Sequence, residues 1–503
     1  MKKFLLLAAL LPFHCLFCQT PAFVRDSLEN YIRQGMKDWQ IPGLSIVIVK
    51  DGQVVWMKGY GVKDIRSQEP VTPGTLFMIA SNTKLFTATS LAQLDYDHRL
   101  SLDDPYTKYY PAFRLYDPGM TKLLSIRDLL SHRIGTVTFQ GDFTFFNGNL
   151  SRAQIMDKMK LLKPSRPFRQ DFGYCNSCFL AAGEIIPKVT GKPWEVYVQD
   201  SILSPLQMNG TYTSITRVPP RQTVAKPYTT AFTGTLRELP YDQWDNLGPA
   251  AALISSVSDL SHWLLFQLDS GRYQGRPVMS FDILQKTRDM NTVISSRRQA
   301  RLPVHFTGYG LGIFQSDYNN HQIYWHTGGA FGMVSNVCFV PDTQLGIAIL
   351  TNNDNQGFFE ALRQQILDAY LGVDYHNHSL DYLPGSLKDM KETLSEIAGY
   401  RQQVKGETPP MGLSAYAGQY THPLYGSLDM AVKDSNLQVT YNGHTHLSAS
   451  LQYMDHGDWL LTYDNIGFGI FKVRFKTSGN RVVSFDNRQN DFIEYGSYTF
   501  TRQ

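Results

Sequence analysis

The sequence predicts an α+β fold: one antiparallel sheet built from both ends of a long segment, a helical insertion between them, and then a small all-β sandwich or barrel. Three observations carry this. Apolar β-branched runs flank an Asp-Gly turn near residues 43–57 and return only after residue 320, the stretch between them leans helical, and beyond residue 413 the pattern changes to short strands with regular turns.

Taken in order, residues 43–49 and 54–57 around Lys50-Asp51-Gly52-Gln53 read as a β-hairpin. Thr75 to Ala80 is compact and apolar, and Leu85, Ala88, Leu91 and Ala92 recur at helical spacing, which places Ser81 at the mouth of a buried helix. Helical text follows at 126–130, 179–189 and 257–268. Strand text returns at 323–326, 334–340 and 345–350, with a turn at Pro341-Asp342, and an amphipathic helix over 358–371 closes on the sheet. A polar stretch at 374–384, a helix over 387–404 and the linker Lys405-Gly406-Glu407-Thr408-Pro409-Pro410 come next. Strands are then expected at 428–432, 437–441, 459–463, 469–475, 481–485 and 497–500. The resulting division is a signal peptide at 1–18, a main domain at 19–373, a linker with a helix at 374–412 and an all-β domain at 413–503.

With 503 residues and 43% hydrophobic content, the chain is too long for one core. A formal net charge of +3 without a long basic block gives no sign of a nucleic-acid partner, and none is expected. Met1-Lys2-Lys3 followed by an almost wholly apolar stretch to Phe17 reads as an export signal, giving a periplasmic or extracellular protein. Phe17 before Cys18 is too bulky for lipoprotein processing, so a lipid anchor is disfavoured, and no later stretch is long and apolar enough to span a bilayer. Of the 5 cysteines, Cys175, Cys178 and Cys338 remain after the signal. Cys175-Asn176-Ser177-Cys178 has no second Cys pair or His pair at ligand spacing to complete a metal site, and a bond between Cys175 and Cys178 would strain the helix start, so free thiols are expected.

Ser81-Asn82-Thr83-Lys84 is the chain's one Ser-x-x-Lys. Residues three apart share a helix face, so the amine reaches the hydroxyl, and burial would lower its pKa enough for it to take a proton. Tyr174-Cys175-Asn176 precedes a helix, and His326-Thr327-Gly328-Gly329 closes a strand. In this order, with Leu102-Asp103-Asp104-Pro105, Ile126 to His132, Pro205-Leu206-Gln207-Met208 and Tyr309-Gly310-Leu311-Gly312 around them, the motifs resemble those of the serine β-lactamase, DD-peptidase and esterase superfamily, class C-like branch. The resemblance covers about residues 27–371. It implies a β-lactamase/transpeptidase-like antiparallel sheet with flanking helices and a helical subdomain. The C-terminal segment, with Tyr416-Ala417-Gly418-Gln419-Tyr420, looks like the lipocalin-like β-domain of some of these hydrolases.

What the resemblance implies for the site is an acyl-enzyme on Ser81, with Lys84 and Tyr174 sharing the proton transfers and either one the base. Asn176 would hold the substrate amide or fix Lys84, or else cap its helix. His326, Thr327 and Gly328 would bind substrate, and the backbone N–H groups of Ser81 and Gly329 would form the oxyanion hole. His326 stands where relatives carry Lys and can be neutral, so it binds a carboxylate less firmly. Pro249-Ala250-Ala251 and Arg133-Ile134-Gly135 also depart from the usual pattern. The expectation is an exported serine hydrolase acting on a small molecule or short peptide, favouring peptides with D-amino acids, without metal or organic cofactor. An esterase or weak β-lactamase is the nearest rival, and a penicillin-binding receptor without turnover is the rival from another class. The oligomeric state is left open, and nothing in the C-terminal domain marks a catalytic cluster.

Overall fold

The computed structural model describes residues 20–220 and 224–503; the segment expected to be the signal peptide lies outside the described residues. The main sheet contains β1 (Gly43–Lys50), β2 (Gln53–Gly61), β3 (Thr292–Ser295), β4 (Thr307–Tyr309), β5 (Phe314–Tyr318), β6 (His321–Ala330), β7 (Met333–Val340) and β8 (Leu345–Thr351). Their order is β2-β1-β8-β7-β6-β5-β4-β3, and every neighbouring pair is antiparallel. Both ends of the main domain therefore meet at the β1–β8 pairing, where Val47 lies opposite Ala348.

The strand text 46–49 is a continuous apolar run because both faces of the sheet are covered. Ile46 and Ile48 pack with the helices Leu28–Asp38 and Phe358–Leu371, whereas Val47 and Val49 join the larger core that contains Val257–Leu268 and Thr83–Tyr96. Successive strand residues point to opposite faces, so a strand buried on both sides needs apolar residues at every position. In the larger core Phe86 stacks on Trp263 at 4.1 Å, tying the helix that follows Ser81 to the sheet's covering helix.

The helix expected over 179–189 is two, Asn176–Gly183 and Ile185–Thr190. Pro187 has no N–H to donate to the Gly183 carbonyl, and the break falls there. The polar stretch 374–384 is not a loop: one helix, His378–Gln403, runs through Pro384. Tertiary bonds outweigh the proline. Asn377 caps the helix by accepting from Leu380 N at 3.2 Å, the Ser379 N–H donates to Tyr31, and His378 pairs with Asp368 at 2.6 Å.

Beyond this helix eight antiparallel strands close into a barrel, so of sandwich and barrel it is the barrel. Gly418–His422 and Ser448–Tyr453 add to the six strands expected; both are short, and the Gly, Gln and His of the first and the Ser, Ala and Gln of the second carry little strand signal. The interior is filled by side chains, including Leu437, Val439, Leu451 and Leu461 and the bonded pair Tyr441 and Asn487, 2.6 Å apart. Phe143 of the main domain packs among Tyr441, His444 and Tyr498 at ring separations of 5.7, 4.8 and 5.9 Å, closing the mouth of the barrel.

Candidate active site

Ser81 sits in a single 3-10 turn, Ala80–Asn82, that leads directly into the helix Thr83–Tyr96. Ala80 holds φ +48°, a left-handed conformation that costs a residue with a Cβ and persists only where neighbours impose it. The neighbours are β6 and β7. Ser335 donates its hydroxyl to the Ile79 carbonyl at 2.7 Å and accepts from Asn82 Nδ2 at 2.8 Å. Gly328 lies opposite Ser335, and a Cβ there would fall 2.0 Å from the Ile79 oxygen. Only glycine lets the strand come this close to the serine turn.

Lys84 is fully buried. Its Nζ lies 3.0 Å from Ser81 Oγ, 2.6 Å from Asn176 Oδ1 and 3.0 Å from the Ala250 carbonyl. Burial lowers its pKa from 10.5 to about 7, with Asp142 and Cys175 pulling the other way. The neutral amine has two N–H groups and two carbonyl acceptors to receive them, which turns its lone pair toward Ser81. Asn176 begins its helix without capping it through its side chain, so of the readings open for it the structure shows the bond to Lys84.

Tyr174 lies beside this pair, its ring centre 4.7 Å from Lys84 Nζ. Burial lifts its phenol well above the ordinary range, opposed in part by a hydrogen bond with Ser81. His132 packs on the tyrosine ring at 4.2 Å. Its Nδ1 accepts from Cys175 N at 3.0 Å, so the neutral ring carries its proton on Nε2, and burial keeps it neutral. Cys175, Cys178 and Cys338 are buried free thiols.

His326 is a neutral wall residue. Its Nδ1 donates to the Thr327 carbonyl at 2.8 Å, and its Nε2 accepts from the Tyr309 hydroxyl at 3.2 Å, which uses both ring nitrogens. Burial, with Lys84 nearby, lowers its pKa to about 3. The ring therefore supplies no positive charge to a substrate.

Ser81, Tyr174, Asn176, His326, Thr327 and Gly329 open on one cleft of about 600 Å³. Gly328 stands behind it against Ile79 and Lys84 lies beneath, so all the motif residues converge. A larger hollow of about 900 Å³ under the helix His378–Gln403 holds none of the three motif groups Ser81, Lys84 and Tyr174, and chemistry selects the smaller one. The cleft walls are mainly aromatic, with Phe139, Phe172, Trp244 and Trp325 from the main domain, and none of its described lining residues is Lys or Arg. Its outer wall comes from the barrel: loop residues Asp491, Phe492, Ile493 and Tyr495 line it. Phe492 stands over Gly329, where an added Cβ would lie 2.7 Å from its ring.

Sequence reasoning missed four contributors: Asp142, the Ala250 carbonyl, Tyr309 and the barrel loop. Asp142 has no motif of its own, yet Asn176 Nδ2 donates to its Oδ2 at 2.6 Å. A backbone carbonyl leaves no side-chain signal. The loop does carry one, since Phe492 and Ile493 are apolar residues where a polar hairpin turn is the norm. Among the described residues no cluster of His, Cys, Asp and Glu is placed to hold a metal ion, and no helix is long and apolar enough to cross a membrane.

A family model described as Beta-lactamase matches residues 28–371, and one described as Domain of unknown function (DUF3471) matches residues 402–496. Protein flp of Staphylococcus aureus (strain COL) is 27% identical over 339 residues, 66% of this chain and 64% of that protein, so the chain spans about 64% of that relative's length. Unguisins hydrolase ungD of Aspergillus violaceofuscus (strain CBS 115571) is 25% identical over 491 residues, 90% of this chain and 84% of that one. In fold the chain is similar to the octameric penicillin-binding protein homologue from Pyrococcus abyssi, with a TM-score of 0.61, 22% identity and coverage of 94% of this chain and 99% of that one. It is also similar to SurE solved with D-Leu, with a TM-score of 0.55, 20% identity and coverage of 95% and 99%.

Proposed function

The chain belongs to the beta-lactamase family of serine hydrolases, and on that footing we propose that it is an exported enzyme acting through an acyl-enzyme on small amides or esters with no carboxylate at the scissile bond, in particular peptides containing D-amino acids. The observation that carries the chemistry is Lys84: buried, and 3.0 Å from Ser81 with two carbonyl acceptors for its N–H groups. The neutral amine takes the Ser81 proton as Oγ bonds the substrate carbonyl carbon. The oxyanion that forms is received by the N–H groups of Ser81 and Gly329. On collapse the amine or alcohol leaves with a proton returned through Lys84 or Tyr174, and water repeats the sequence on the ester to free the acid.

Substrate class follows from the walls. A neutral His326 and a cleft without Lys or Arg give no partner to a carboxylate, which speaks against efficient β-lactam hydrolysis and against a free C-terminal carboxylate at the cleavage point. The aromatic lining favours apolar acyl groups. A relative named for hydrolysis of unguisins and a fold relative solved with D-Leu support the peptide and D-residue reading. Export rests on the leader text of residues 1–18. The barrel acts here as a wall that limits substrate size, since its interior is filled while its loop lines the cleft.

The test is to label the protein with a fluorophosphonate and a fluorescent penicillin, map the modified residue, and compare D-leucyl, L-leucyl and carboxylate-terminated amides with short-chain esters. Labelling of Ser81 and faster cleavage of uncharged D-residue amides are expected. Unchanged hydrolysis in Ser81→Ala would overturn the mechanism, and a preference for carboxylate-terminated substrates would overturn the specificity.

A further inference from the structure

The barrel and the catalytic lysine are joined by an unbroken set of bonds. From the lysine outward, Lys84 Nζ meets Asn176 Oδ1 at 2.6 Å, and Asn176 Nδ2 donates to Asp142 Oδ2 at 2.6 Å. Asp142 opens the short helix Asp142–Phe145. On either side of it the Gly141 and Phe143 N–H groups donate to the Glu494 carboxylate at 2.7 and 3.0 Å, and the Tyr425 hydroxyl donates to the same carboxylate at 2.7 Å. Glu494 is 3% exposed and belongs to the barrel loop that also lines the cleft. Phe143, the next residue after Asp142, is the one seated in the barrel mouth.

We propose that Asp142 is a positioning residue for acylation, fixing the Asn176 amide with its oxygen on Lys84, and that the barrel holds Asp142 in register through Glu494. The two ends of an asparagine amide have nearly the same shape, so only their partners decide which end faces the lysine. The reversed amide would turn N–H donors against Lys84 N–H donors and leave the lysine without one of its two acceptors. Its lone pair would then no longer be directed at Ser81. Asp142 opposes this by offering an acceptor to Nδ2. Its Oδ1 has no partner among the described residues, so a proton on this buried carboxyl sits on Oδ1 and leaves Oδ2 free to accept. The groups facing Lys84 are Asp142, Cys175, Tyr174, His132 and His326, and those facing Asp142 are Cys175, Cys178, Tyr174, Tyr425, Glu494 and Lys84.

The inference rests on the reading of Ser81 and Lys84 as nucleophile and base, and its test separates the two. Full-length wild type, Asp142→Leu, Asp142→Asn and Glu494→Gln are compared by the rate of Ser81 labelling with a fluorophosphonate across pH. The same proteins are compared by the 13Cε NMR titration of Lys84, assigned by its loss in Lys84→Arg. Asp142→Leu should slow labelling about 100-fold on the alkaline plateau and move the Lys84 titration, because misplacement by an ångström has that order of effect. Asp142→Asn keeps an acceptor oxygen and should retain most of the plateau rate while its pH profile shifts. Glu494→Gln, which sets an amide N–H against one of the two backbone N–H donors, should act in the direction of Asp142→Leu by about tenfold. Wild-type rate and titration in Asp142→Leu would overturn the role of Asp142. If circular dichroism shows that variant unfolded, a wild-type pH profile and titration in Asp142→Asn overturn it instead. Wild-type behaviour in Glu494→Gln would overturn the role of the barrel. Failure of Ser81 to label in the wild type defeats the acyl-enzyme reading alone, because the NMR titration still reports whether Asp142 governs Lys84.

Discussion

Replacing Lys84 by Arg, and varying pH with Lys84 in place, should show that the buried amine is the working base. Its pKa falls from 10.5 to about 7 because burial disfavours the ammonium. The shift of about 3.5 units corresponds to about 5 kcal/mol and raises the neutral fraction near neutrality by about three orders of magnitude. Hydrolysis of a short-chain p-nitrophenyl ester is the assay, with kcat/KM followed from about pH 5 to about pH 10. The rate should fall about tenfold per unit below pH 7 and level off above it. His326, near 3, and His132, pushed well below its ordinary value, do not titrate in that interval, so neither histidine supplies the limb. The folded state binds fewer protons than the unfolded chain between about pH 7 and 10.5. Lys84 therefore makes stability rise with pH across that window, while below pH 7 its cost is complete and constant. Circular dichroism at each pH separates loss of fold from loss of rate. A profile that climbs through pH 9 without a plateau would identify the Tyr174 phenolate as the base and refute the reasoning, as would a Lys84→Arg variant with wild-type rate.

Gly328→Ala should lower Ser81 labelling by about 100-fold or more, because the new Cβ lies 2.0 Å from the Ile79 oxygen and must displace the serine turn; near wild-type labelling would show that the turn is not fixed by that contact. Phe492→Ala removes a side chain from the outer wall, and the ratio of kcat/KM for long over short acyl substrates should rise about tenfold, read by competition between two esters. An unchanged ratio would mean that the barrel loop does not set substrate size. His326→Gln should resist acid better. The histidine pKa is lowered from 6.5 to about 3, so its contribution to stability declines as pH falls through that interval, by several kcal/mol at most, and urea unfolding near pH 4 against pH 7 measures the difference.

The sheet, the serine helix and three walls of the cleft were legible because their signals are local. Ile46 to Val49 must be apolar at each position, Ser81 and Lys84 share one helix face, and Gly328 is required where strand meets turn. Short edge strands such as Thr292–Ser295 were not, since Val293 and Ile294 face outward and carry no core alternation. The helix start at His378 was hidden behind Pro384 because what holds it is distant in sequence, Tyr31 and Asp368. The site beyond the motifs was hidden for the same reason. Asp142 acts across 34 residues to Asn176, and Glu494 across 353 to Gly141, separations at which no spacing rule operates.

The loop between the strands Arg481–Arg488 and Ser497–Arg502 joins two neighbours whose ladder runs from Ser484↔Thr501 to Arg488↔Ser497 regardless of what the loop contains. Changes at Asp491, Phe492, Ile493 and Tyr495 leave that ladder and the Ser81 turn untouched while reshaping the mouth of the cleft, whereas Glu494 between them is tied to Gly141 and Phe143. Bond-breaking and substrate choice are thereby divided within one hairpin tip: the first is locked by buried contacts that include Glu494, while the second is free to drift at the cleft-lining positions around it. Two descendants of this architecture with the same catalytic groups can part company in diet through a handful of substitutions at Asp491, Phe492, Ile493 and Tyr495, with Glu494 kept.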